Sequence, residues 1–169
     1  MANALSQHRA FPLYVLTRYV MNAVKHDQNG TCDTDALNAV LRSQMSAVET
    51  YDQAMTKFED QHALADLQKI REDHARAVVL LREKAAQFGA MPVESSGPWT
   101  AFEAAVTGSG NMLGYAALKQ GEQQGINEYE EALKNEDVNP ECKEMIRAEL
   151  LPNAKMHVEE LDRLIGGMS

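Results

Sequence analysis

Apolar residues recur along this chain at alternating spacings of three and four, and at a few levels a polar side chain takes an apolar place. Positions 37, 41, 44, 48, 51, 55 and 58 read Leu, Leu, Gln, Val, Tyr, Met and Phe, the stripe of an amphipathic helix with one polar member, Gln44. Asp33 or Thr34 suits its N-cap. A second helix is predicted over about 61–87, after a break near Glu59–Asp60. Its stripe at 64, 67, 71, 74, 78, 81, 85 and 88 is interrupted by Arg71 and His74, and Gly89 and Pro92 end it. A third long helix is predicted over 111–134, where Leu118, Ile126 and Leu133 share a face with Glu122 and Tyr129. Asn139 and Pro140 are the N-cap and first residue of a fourth, running to about Ile165 and the Gly166–Gly167 stop. Its stripe at 146, 150, 153, 157, 161 and 164 reads Ile, Leu, Asn, His, Leu and Leu.

Two further segments complete the prediction. Residues 1–30 form an arm with a short amphipathic helix begun at Pro12, set off by the turn-rich "HDQNGTCDTD". A short helix is expected around Trp99–Val106, followed by a kink at "GSGN". The fold class is all-α: four amphipathic helices joined as hairpins make a four-helix bundle over residues 31–169, with the arm outside it.

Composition agrees. The 169 residues suffice for one core; Ala, Leu, Glu, Gln, Lys and Met abound, and aromatics make up only 6%. A net charge of −9 argues against nucleic acid as a partner, because phosphate recognition needs clustered Lys and Arg. The longest apolar N-terminal stretch, "FPLYVLTRYVMNAV", is broken by Arg18, so no membrane span and no secretory signal are read there. Cys32 and Cys142 are far apart and lack Cys-x-x-Cys spacing; reduced thiols in the cytoplasm are the simpler expectation, one disulfide the alternative.

The helices repeat. A shift of 78 residues carries Gln44 onto Glu122, Val48 onto Ile126 and Tyr51 onto Tyr129, while a shift of 83 carries Leu67 onto Leu150 and His74 onto His157. Two related hairpins packed together gather Gln44, His74, Glu122 and His157 near mid-height, with Arg71 one turn away and the tyrosines two turns away.

Duplicated hairpins with Glu-x6-Tyr on a first helix and a buried histidine on the next resemble the ferritin-like superfamily. More narrowly, "LNAVLRSQMSAVETYDQA", "LQKIREDHARAVVLL", "SSGPW" and "GEQQGINEYEEAL" resemble a bacterial group of ferritin-like four-helix-bundle proteins, the DUF2383 family, over residues 33–165. The superfamily pattern implies glutamates on helices one and three and Glu-x-x-His on two and four, holding two metal ions. Gln44, Arg71 and Ala154 occupy three of those ligand positions, which argues against a dinuclear centre.

His74, Glu122 and His157 remain, a set able to hold one iron or zinc ion, with Tyr51 and Tyr129 beside it. In the alternative, no metal binds: Arg71 pairs with Glu122, and Gln44 and the histidines complete a hydrogen-bonded core, a reading favoured by the cation Arg71 already supplies. Glu72, Asp73 and Glu160 read as surface charges, and His8, His26 and His62 as exposed. No nucleophile–His–acid arrangement stands out, so no catalytic residue is assigned. Two functional classes survive: a ferritin-like protein with a degenerate metal centre and a stress or metal-handling role, or a non-catalytic bundle working through self-association or a protein partner. A homo-oligomer is expected, a dimer first, with the arm packing on the bundle or on a neighbouring subunit.

Overall fold

A computed structural model describes residues 34–89, 91–96, 111–136 and 138–167. The expectations for the N-terminal arm, the short helix at 99–106 and the kink at 107–110 lie outside them. The elements are α1 (Thr34–Met55), α2 (Gln61–Gln87), α3 (Asn111–Lys134), α4 (Pro140–Met145), a π-helical turn (Ile146–Leu150) and α5 (Leu151–Gly166), with no strand among the described residues.

The boundaries follow local chemistry. Asp60 accepts from the backbone N–H groups of His62 and Ala63 and so starts α2. Gly89, at φ +72°, takes the left-handed conformation that stops it. Asn139 accepts from Glu141 N, and Pro140 supplies the first turn of α4. From α4 to α5 the backbone stays right-handed helical at every junction, so one rod contains the wider π turn. Pro152 accounts for the widening: it has no N–H to offer Ala148, and its ring would crowd that carbonyl in a regular α-helix.

Helix α1 packs along α2, α3 along α5, and α2 also meets α5. Gln44 bonds to Tyr129 while Tyr51 bonds to Glu122, so α1 and α3 run in opposite directions. Helix α3 therefore runs the same way as α2, and the end of α2 and the start of α3 lie at opposite ends of rods about 40 Å long. The connection of residues 88–110 is long enough to span that distance at about 3.3 Å per residue.

The core is two apolar halves with a polar layer between them. One half gathers Leu37, Leu41, Leu81, Ala85, Ile126, Ile146 and Leu150. The other gathers Ala54, Phe58, Leu67, Ile70, Tyr115, Leu118 and Leu161. Gln44, His74, Glu122 and His157 are the buried polar residues at the level between them.

Two stripes are phased differently from the sequence expectation. On α2 the buried residues are Ala63, Leu67, Ile70, His74, Ala77, Leu81 and Ala85, so Ile70 rather than Arg71 faces the core. Alanines at 63, 77 and 85 take core positions, while Leu64 and Val78 are half-buried beside the core. In the last rod Ala154, not Asn153, is buried, at the level just after the π turn, while Ile146, Leu150, His157 and Leu161 keep their expected places.

Cys142 is buried and disulfide-bonded, the alternative of the two states considered for the cysteines. The argument from thiol chemistry for a reducing compartment accordingly falls away. Among the described residues no helix is long and apolar enough to cross a membrane.

Candidate metal centre

Glu122 is 7% exposed, and each of its oxygens has partners from other helices. Oε1 lies 2.9 Å from His74 Nε2 and accepts from the Tyr51 hydroxyl at 2.8 Å. Oε2 lies 3.1 Å from His157 Nδ1. The α2 and α5 histidines therefore flank an α3 carboxylate that α1 holds through Tyr51. The two imidazole centroids are 5.0 Å apart, and the Tyr51 ring lies 5.5 Å from that of His74.

The outer ring nitrogens also have partners. His74 Nδ1 is 2.9 Å from Gln44 Oε1, and the Gln44 amide donates to the Tyr129 hydroxyl at 2.5 Å. His157 Nε2 is 3.2 Å from Asp73 Oδ2. Within each hairpin the histidine turns Nδ1 toward the polar residue of its partner helix: His74 toward Gln44, and His157 toward Glu122. The tyrosines exchange partners between hairpins, Tyr51 with Glu122 and Tyr129 with Gln44. This is the geometric form of the internal repeat, with Gln44 in the place of a second carboxylate.

Electrostatics follow from this packing. Burial pushes the Glu122 carboxyl up, but the positive charge of His74 and the hydrogen bonds from His157 and His74 outweigh it and hold the group well below the ordinary carboxylate range. Burial, then the Glu122 charge, then its hydrogen bond raise the Tyr51 phenol well above its usual value. Tyr129 is raised by burial and by the charges of Glu122 and Glu128. Both phenols are therefore neutral at pH 7, and Tyr51 is a donor to Glu122.

The structure brings together Gln44, Tyr51, His74, Glu122, Tyr129 and His157, but not Arg71. The Arg71 guanidinium makes a two-pronged pair with Asp52 of α1, Nε to Oδ1 at 2.9 Å and Nη2 to Oδ2 at 3.1 Å, on the outside of the first hairpin. The expected Arg71–Glu122 pair is corrected accordingly, and the cause is the rotation of α2 that turns Ile70 inward. Asp73 is the residue the sequence reading left at the surface: one position before His74, it stands at the α2–α5 edge against His157. Nothing in the sequence sets it apart from other surface acids; in the structure Asp66, seven residues earlier on the same edge, also bonds across to α5, at Arg163.

The donor set fits a single cation. One ligand atom from each of His74, Glu122 and His157 can be chosen so that all lie within 4.8 Å of one another. Zinc or iron holds such donors at about 2.0–2.2 Å, hence up to about 4 Å apart on one ion, so the donors stand within about 1 Å of that spacing. Two imidazoles and one carboxylate are a borderline-soft set suited to zinc or iron(II) rather than to calcium or magnesium.

Among the described residues every element is helical, the helices pair as hairpins, and two histidines and a glutamate converge in the polar layer between the core halves. The family model described as "Domain of unknown function (DUF2383)" matches residues 33–135, and the chain belongs to this family. Comparison with curated proteins finds no match, and comparison with solved structures finds none.

Proposed function

We propose that the protein is a ferritin-like four-helix bundle whose degenerate centre binds a single divalent metal ion, iron or zinc, through His74, Glu122 and His157, in a metal-handling or stress role. One observation carries this reading: a buried carboxylate faces two inward imidazole nitrogens, while Arg71, which would have replaced the metal, is engaged with Asp52. Among the described residues no Lys or Arg bonds to Glu122. A bound ion would supply Lewis acidity or, as iron, a one-electron couple; Tyr51 would orient the carboxylate toward it. The ferritin-like arrangement is supported by the antiparallel hairpins and the long connection between parallel α2 and α3. The missing carboxylates at Gln44, Arg71 and Ala154 favour one ion over two. The protein is taken to act as a homo-oligomer, a dimer first, with residues 1–30 as an arm outside the bundle of 31–169.

The test is metal content and titration. Protein purified without chelators should carry iron or zinc, and chelator-treated protein should take up one equivalent of Zn²⁺ or anaerobic Fe²⁺. Replacing His74 or His157 by Ala should abolish uptake. Absence of uptake by the intact protein would exclude the reading.

A second reading has its own support. Every described buried side-chain nitrogen or oxygen already has a hydrogen-bond partner, so the polar layer is complete as a network. On that reading the chain is a non-catalytic bundle acting through self-association or a protein partner. Added metal would then leave its stability unchanged.

A further inference from the structure

We propose that Asp73 is a positioning residue for the metal site, holding His157 in the tautomer that presents Nδ1 to the ion; this rests on reading the cluster as a metal site. A neutral imidazole carries one N–H, so a ring that ligates through Nδ1 must keep its proton on Nε2. Asp73 Oδ2 is 3.2 Å from Nε2, where a carboxylate accepts that proton's hydrogen bond and opposes a lone pair. His157 is 4% exposed, so solvent is a poor substitute for this acceptor. The Asp73 side chain is itself anchored: Oδ1 accepts from Arg76 on the next turn of α2, and the group is 22% exposed at the edge of the α2–α5 contact.

The repeat sharpens the assignment. His74 also has its outer nitrogen fixed, but by the neutral amide of Gln44 at 2.9 Å. The position that a shift of 83 residues relates to Asp73 is Met156, apolar and 54% exposed, so nothing in the second hairpin mirrors Asp73. One ligand is therefore backed by a carboxylate and the other by an amide. A carboxylate partner raises the donor strength of the imidazole it holds, which makes His157 the stronger ligand of the two.

Zinc affinity of the full chain, measured by calorimetric titration of wild type, Asp73→Asn, Asp73→Glu and Arg76→Ala, tests this together with heteronuclear NMR of the His157 ring nitrogens. Asp73→Asn should weaken Zn²⁺ binding about 10–100-fold. It should also move the His157 Nε2–H resonance upfield, with melting of the metal-free protein little changed. Asp73→Glu, which keeps the carboxylate, should recover part of both, and Arg76→Ala should weaken binding only a few-fold. Wild-type protein that binds zinc alongside an Asp73→Asn variant of equal affinity would overturn this inference and leave the metal site standing. Wild-type protein that binds no zinc would overturn both. Unchanged ring-nitrogen shifts in Asp73→Asn would assign Asp73 a role in helix packing alone.

Discussion

The Tyr51 hydroxyl donates to Glu122 Oε1 across 2.8 Å, joining the first helix of one hairpin to the first helix of the other at the level where both apolar halves of the core end. The bond is buried and its acceptor is charged. Tyr51→Phe should therefore cost about 1.5–3 kcal/mol, the range for a hydrogen bond to a charged group. Tyr129→Phe removes only a neutral partner of Gln44 and should cost about 1 kcal/mol. Urea denaturation of both variants compares them; equal losses would mean that the two halves of the repeat are electrostatically equivalent.

Acid should act through Glu122. Its folded-state proton affinity is depressed below the ordinary value of 4.5. The unfolded chain takes up this proton at a higher pH than the folded protein does. The stability Glu122 contributes is thus complete above the unfolded carboxylate range and is lost as pH falls through it toward the folded value. Wild-type stability should drop between about pH 5 and pH 3, more steeply than that of Glu122→Gln. Parallel curves for the two proteins would contradict the assignment.

Arg71 offers a corrective test. Were Arg71 part of the centre, Arg71→Glu would restore a carboxylate ligand and raise metal affinity. Its pairing with Asp52 predicts otherwise: the new carboxylate would face Asp52, zinc affinity should not rise, and stability should fall by about 1 kcal/mol or less. A gain in zinc affinity would show that α2 rotates to bring position 71 inward.

Two glycines of α3 should respond in opposite directions. A Cβ on Gly114 would stand 2.8 Å from the tip of the Phe58 ring, which stacks on Tyr115 at 4.4 Å. A Cβ on Gly125 would meet nothing within 4 Å. Gly125→Ala should gain up to about 1 kcal/mol from helix propensity. Gly114→Ala should lose on balance, since overpacking costs about 1–3 kcal/mol. Thermal melting of the pair checks this.

Much of this was legible in the sequence, for reasons particular residues make plain. The ends of α2 and the start of α4 were readable because Asp60, Gly89, Asn139 and Pro140 act on their own neighbours, without help from the fold. His74, Glu122 and His157 were readable because a polar side chain on an apolar stripe, repeated at matching shifts, has to find partners. The rotation of α2 was not, because two of its buried positions are Ala63 and Ala77, whose small side chains give a weaker hydrophobic signal than Leu64 and Val78 beside them. Arg71 was misplaced for that reason. The π turn had only Pro152 to announce it. Asp73 looked like any surface acid, since its partner lies on another helix, 84 residues away.

The central claim is that Glu122 and the two histidines hold a metal ion, and the most direct measurement is the melting temperature of chelator-treated protein with and without Zn²⁺, beside Glu122→Gln. With free zinc at about a hundred times its dissociation constant, linkage contributes about 2.7 kcal/mol. For a chain of this size that is a rise of roughly 5–10 °C in the wild type, saturating at one equivalent bound, and none in Glu122→Gln. Equal melting of the wild type with and without the metal, at zinc concentrations where no uptake is detected, would contradict the account.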